Sequence, residues 1–266
     1  MNVNKSFWLI GGIALLLSSC HFFKTVGGDG DLITEEFPVT DFNSLSVDCM
    51  SMEIEYAQSD EAPGLRLTTD RNVMDQFECF VDEDQTLVIR PKHRFRRVRF
   101  LPTEFKIVAH SRGLEKARLD GSSAFYLNSK LVSDQLTLDL SGNGEFHSAD
   151  SLCVDRVKID VAGNCIFDAP AFFCQSLNAD VSGSGTFRLG GSAKDVSFDT
   201  MGNAVVEAFD MEMDRLSCKG LGRLQLRAFV NEQINVSVMG LQDVQYKGNA
   251  SLSRKGIGGG TVDHID

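Results

Sequence analysis

Residues 136–148 read LTLDLSGNGEFHS, and nearly the same phrase returns as VKIDVAGNCIFDA at 157–169, LNADVSGSGTFRL at 177–189 and VSFDTMGNAVVEA at 196–208. A binding loop is used once, whereas a structural unit recurs as often as it can be stacked. Aligned on the first glycine of the phrase, the series is Gly121, Gly142, Gly163, Gly183, Gly202, Gly222, Gly240 and Gly258, at spacings of 18 to 21 residues. Six places before each glycine stand Glu115, Leu136, Val157, Leu177, Val196, Leu216, Ile234 and Leu252. Four places after it stand Phe125, Phe146, Phe167, Phe187, Val206, Leu226, Val244 and Val262. Apolar residues fill the second column completely and the first in all but one unit.

Within VKIDVAG, Val157, Ile159 and Val161 alternate with Lys158 and Asp160, which is the period of a half-buried strand. The glycine is expected to break that strand. Ser122, Asn143, Asn164, Ser184 or Asn203 follows it, and Gly and Asn both tolerate the left-handed backbone of a sharp corner. A second short strand then begins at the apolar residue four places on. Units of this length that cannot bury their own apolar faces indicate a solenoid. No unit carries a helical face, and a propeller blade would need about 40 residues. The reading is therefore all-β: a single-stranded parallel β-helix, right-handed like most parallel crossovers, over 114–266. A dinucleotide cradle would need a following helix and a distant acid within one βαβ unit, and neither is present.

The first nineteen residues read as a signal peptide: Lys5 precedes the apolar run FWLIGGIALLL, followed by small residues. The ending Leu17-Ser18-Ser19-Cys20 resembles the lipobox of bacterial lipoproteins, which implies acylation of Cys20 and a durable bilayer anchor. Residues 20–33 then form a tether. Residues 34–113 form irregular β coils or a cap, with DEDQ at 82–85 as a hairpin turn between FECFV and TLVIR. The whole of 34–266 is expected to be one continuous domain. Loss of Lys5 with the signal takes the formal charge from −11 to −12. That acidity argues against nucleic acid and against broad adhesion to anionic lipid. The outer membrane is the expected address, on either its surface or its periplasmic side. The last coil lacks an obvious cap, so self-association through that end is expected.

The order FNSLSVDCMSMEIEY, TLVIRP, EFKIVAHSRGLEKARLDGSS, the SGNG and SGSG corners and a late VQYKGNA resembles the family described as "putative auto-transporter adhesin, head GIN domain". The resemblance covers roughly residues 36–266. It implies a β-helical domain of bacterial lipoproteins, with adhesion as the suggested role and no catalytic residues or cofactor to carry over. The sequence departs from the glycine-x-glycine pattern at Cys165, Ala204, Leu224 and Gln242.

Stacking would turn equivalent side chains into ladders about 4.8 Å apart. Three places before the glycine come Asp139, Asp160, Asp180 and Asp199. Each neighbouring pair repels by about 1 kcal/mol in water, so the column is either simply solvated or binds a cation or cationic group. Five places after the glycine, Asp168, Arg188, Glu207 and Arg227 alternate in sign. The run RPKHRFRRVRF carries Arg90, Lys92, Arg94, Arg96, Arg97 and Arg99, which either grip an anionic glycan or headgroup or face acids of the same chain. Cys153 and Cys174, equivalently placed in successive units, are the candidate disulfide, and Cys218 reads as a core residue. No close-spaced Cys/His set resembles a zinc site. Asp139, Asp160, Lys158 and His147 come nearest to an acid–base set of a polysaccharide enzyme. Units this short leave little length for loops that wall a cleft, and His147 lies around a corner. The function expected is non-catalytic: adhesion to a glycan or protein, or a structural role in the envelope.

Overall fold

The computed structural model describes residues 24–92, 98–255 and 257–265. In chain order the strands are β1 (Lys24–Gly27), β2 (Leu32–Phe37), β3 (Ser44–Gln58), β4 (Gly64–Asp70), β5 (Phe77–Val81), β6 (Thr86–Pro91) and β7 (Val98–Leu101). They continue as β8 (Phe105–Ser111), β9 (Lys116–Leu127), β10 (Leu131–Ser148), β11 (Leu152–Lys247), β12 (Ser251–Arg254) and β13 (Val262–His264). One helical turn, α1 (Arg71–Met74), follows β4.

The chain is all-β, and the repeat sets the register. β10 lies parallel between β9 and β11, pairing Gly142 with Gly121 on one side and with Gly163 on the other. Leu138 and Phe146 meet Ile159 and Phe167 in the same frame. The last unit keeps it, with Ile234 opposite Leu252 and Val244 opposite Val262. At Gly163, φ is +134°, and a Cβ there would land on the carbonyl oxygen of Gly142. The reference glycines from Gly142 to Gly258 repeat this contact from unit to unit, while at Gly121 the Cβ would meet the carbonyl oxygen of Cys49. The corner therefore needs glycine twice over, for its backbone angle and for the approach of the chain beneath. Contrary to expectation, these glycines bend the strand without ending it: β11 runs through five of them as one continuous strand.

The main sheet is mixed, because the N-terminal region combines parallel with antiparallel pairs. β2–β4, β4–β8 and β5–β6 are antiparallel, with residues 82–85 turning the β5–β6 hairpin as expected. β3 joins the two regimes. Its first half lies between β6 and β9 and its second half between β8 and β9, all parallel, with a register shift between Asp48 and Ser51. The second half of the expected tether is docked: β1 pairs with β7 and β2 with β4. The buried Asp70 carboxylate holds this corner by accepting from the backbone N–H of Gly30 at 2.8 Å and of Thr103 at 2.7 Å. Burial pushes its pKa up, but these donors outweigh burial and leave it below the ordinary carboxylate value.

Inside the stack, Phe125, Phe146 and Phe167 lie nearly parallel, with centroids 5.4 and 4.8 Å apart. Toward the C-terminus this column shrinks to Val206, Leu226 and Val244, all buried. The position two before it grows in step: Gly144 and Gly185 beside phenylalanine, then Ala204, Leu224 and Gln242. A Cβ on Gly185 would approach the Phe187 ring to 2.8 Å. The departures at Ala204, Leu224 and Gln242 are thus volume compensation, which a close-packed interior demands, whereas Cys165 is accommodated beside a full-sized Phe167. Gln242 is satisfied as well, donating to the Val238 carbonyl and accepting from Arg254 Nε at 3.1 Å.

Candidate functional site

Because the core columns face inward, chemistry is confined to the outward columns and the grooves between them. Asp139 and Asp160 are register partners, and with Asp180 they border a groove of about 390 Å³ also lined by Ser141, Ala162 and Ser182. Counter-charges temper the repulsion. Lys116 Nζ lies 3.2 Å from Asp139, and Lys158 Nζ lies 2.6 Å from Asp160, a hydrogen bond that raises the lysine pKa. The column is bracketed by Arg118, paired opposite Asp139, and by Lys219, which follows Asp199 one unit on. Among the described residues no three His, Cys, Asp or Glu side chains converge to hold a metal ion. The aspartates form a charged face.

In the basic run, Arg94, Arg96 and Arg97 lie outside the described residues, as does Cys20. Arg90 is engaged within the protein, 2.7 Å from Glu78 and stacked over Phe80. Lys92 donates to the Asp75 carbonyl at 2.9 Å, and Arg99 is exposed on β7. Cys153 and Cys174 do share one groove, of about 470 Å³, with Val132 and Phe173. Both carry free thiols in this structure. Burial pushes the Cys174, Cys165 and Cys218 thiols up to about 12, which leaves them poor nucleophiles.

Of the four residues nearest to a catalytic set, Asp139, Asp160 and Lys158 share the acidic face, but His147 stands apart from them. His147 stacks on Tyr126 with centroids 5.4 Å apart, and its ring nitrogens face Glu145 at 3.2 Å and Asp168 at 3.9 Å, on the segment beyond the corner. The alternating ladder forms a contact at Arg227, 3.2 Å from Glu207. Arg215, which sequence reasoning does not single out, grips Asp195 through two hydrogen bonds of 2.7 and 2.9 Å and reaches Glu232 at 3.0 Å. A third groove, of about 560 Å³, opens where β2, β4 and β8 meet, beside Phe37, Arg66 and His110. Sequence reasoning misses it because antiparallel pairing of those strands leaves no periodic signal.

The family model described as "Putative auto-transporter adhesin, head GIN domain" matches residues 41–170 and again 138–250. Among solved structures, a "putative adhesin" from Parabacteroides merdae ATCC 43184 is similar at 24% identity and a TM-score of 0.79. A "putative lipid binding protein" and a "putative adhesin", both from Parabacteroides distasonis ATCC 8503, follow at 23% and 25% identity with TM-scores of 0.76 and 0.75. Each comparison covers 91% of this chain and 100% of the other. No curated protein matches in sequence.

Proposed function

The chain belongs to the family described as "Putative auto-transporter adhesin, head GIN domain", and from that premise we propose that it is an exported, lipid-anchored adhesion or envelope-interaction protein that works by presenting a rigid surface. The stacked units are read as a single-stranded parallel β-helix, right-handed by the general rule for parallel crossovers. Register-matched glycines from β9 through the last unit support that architecture, and the antiparallel strands at the N-terminal side serve as its cap. Anchoring through Cys20 is supported by the lipobox-like LSSC.

The observation that carries the functional reading is the regular outward face. Charged columns run from unit to unit, and His147 stands apart from Asp139, Asp160 and Lys158. Such a face suits extended contact with a polymer or another protein better than enclosure of a reacting bond. The test presents the full chain to arrays of neutral and acidic glycans and to intact cells. Saturable binding without turnover supports adhesion; hydrolysis or elimination of an acidic polysaccharide, abolished by Asp160→Asn, overturns it. Protease shaving of intact cells distinguishes surface display from a periplasmic address, and loss of palmitate labelling in Cys20→Ser tests the anchor.

A further inference from the structure

The column one place before each reference glycine changes character halfway along. It begins Asp120, Ser141, Ala162, Ser182 and ends Met201, Leu221, Met239, Ile257. The stacked glycines beside them hold the last four in line, since a Cβ on Gly222, Gly240 or Gly258 would strike the reference glycine of the preceding unit. These four side chains are 60%, 47%, 52% and 82% exposed. A straight ridge of large apolar side chains in water marks an interaction surface, in contrast to singly scattered surface apolar residues.

The neighbouring outward column divides at the same height. Its acidic part, Asp139 to Asp199, borders the groove partly lined by small residues, and its continuation is Lys219, Ser237 and Lys255 beside the apolar ridge. Asp180, Asp199, Lys219 and Lys255 have no ion-pair partner among the described residues. One face therefore carries an acidic groove at one end and a basic-flanked ridge at the other.

We propose that this face binds a second copy of the chain, antiparallel, about a two-fold axis that lies in the face and crosses between the Met201 and Leu221 units. Such an axis sets each column against itself with the order of units reversed. Met201 then meets the partner's Leu221, while Ser182 and Ala162 receive the partner's Met239 and the partner's Ile257 in the groove. Asp199 faces the partner's Lys219, and Asp160 faces the partner's Lys255. Ridge fills groove, Asp180 faces the partner's Ser237, and two acids meet two bases, each contact occurring twice. Six units at about 4.8 Å by roughly 20 Å of strand give about 600 Å² per copy, at the low end for a specific interface. The dimer is accordingly reversible and salt-sensitive. An anionic membrane fits less well, because the aspartates on the same face would repel it.

Asp199 and Lys219 make no internal ion pair, so they can be exchanged without disturbing the fold, and thermal melting of each variant checks this. Sedimentation equilibrium of the full chain in a neutral, density-matched detergent is run on wild type, Asp199→Lys, Lys219→Asp and an equimolar mixture of the two variants. Wild type is expected to dimerise, and each single variant to lose association by about tenfold or more. The mixture is expected to recover it, because the reversed charges are again complementary. Leu221→Asp, on an exposed ridge position, abolishes association in every combination. A monomeric wild type, a dimer indifferent to these substitutions, or a mixture that stays monomeric would each overturn the proposal. Ridge-dependent binding of a monomer to phosphatidylglycerol vesicles would overturn it too.

Discussion

Replacing Gly163 by alanine tests the glycine stack where it is most constrained. The residue sits at φ +134°, where L side chains are strained, and its new methyl would land on the Gly142 carbonyl oxygen. Strain of that kind costs on the order of 1–3 kcal/mol. The colliding atom is backbone, fixed by the pairing of β10 with β11, so it cannot swing aside as a flexible side chain would. Alanine also restricts the unfolded chain, which returns roughly 0.4–1 kcal/mol. The net expectation is a destabilisation of about 1–2 kcal/mol, read from denaturant unfolding by far-ultraviolet circular dichroism. Gly113→Ala is the control, since a Cβ at Gly113 meets open space and its φ is not positive. It should fall within about 0.5 kcal/mol of wild type. If Gly163→Ala unfolds with Gly113→Ala and wild type, the corners do not require glycine and the stacking argument fails.

Asp70→Ala removes the charged acceptor that the N–H groups of Gly30 and Thr103 share, for an expected loss of about 1–3 kcal/mol in the same assay. Because the folded pKa of Asp70 is lowered, its contribution is fully present above the ordinary aspartate value near 3.9 and is lost as pH falls through the folded value. Acid titration of stability should therefore be shallower below about pH 4 in Asp70→Asn than in wild type. Gly185→Leu should overpack the core against Phe187 by about 1–3 kcal/mol, and adding Phe187→Leu should restore most of it, as in the natural pair Leu224 and Leu226. Cys165 and Cys218, buried with thiols raised to about 12, should resist alkylation at mildly alkaline pH until the protein is unfolded.

What the sequence made legible was whatever repeats. Leu136, Val157 and Leu177 alternate with polar neighbours, Gly142 and Gly163 recur at one spacing, and parallel pairing in that register follows. The N-terminal region was legible only piecewise. The hairpin at 82–85 has a local signature, whereas β2, β4 and β8 pair across long stretches of chain, and nothing in their composition states the direction. Side-chain partners were less legible still. The place of Lys158 next to Asp160 is readable two residues apart, but the attachment of Arg215 to Asp195 and Glu232 needs the coordinates of three units. The four-residue acid–base set failed for a related reason: the corner after Gly142 turns His147 away from the aspartates onto the segment with Asp168.

The unequal treatment of inward and outward columns bears on where function can lie. Inward positions co-vary in size, so that glycine beside phenylalanine and leucine beside leucine fill the same cross-section. Packing fixes them and leaves them no freedom to encode a partner. Outward positions face no such constraint. A stack indifferent to its surface would intersperse charge, because like charges at this spacing repel. Here the acids are grouped at one end, the bases follow immediately, and the large apolar side chains sit beside the bases. Lys116 and Lys158 relieve only the early part of the acidic column, Arg118 is paired with Asp120 instead, and Asp180 and Asp199 remain unpaired among the described residues. A face that keeps repulsion at one end and exposed methionine, leucine and isoleucine at the other is destabilised twice when free. A single antiparallel contact covers the ridge and gives Asp199 a basic partner, which makes the oligomeric state of the chain the measurement on which the reading of this surface turns.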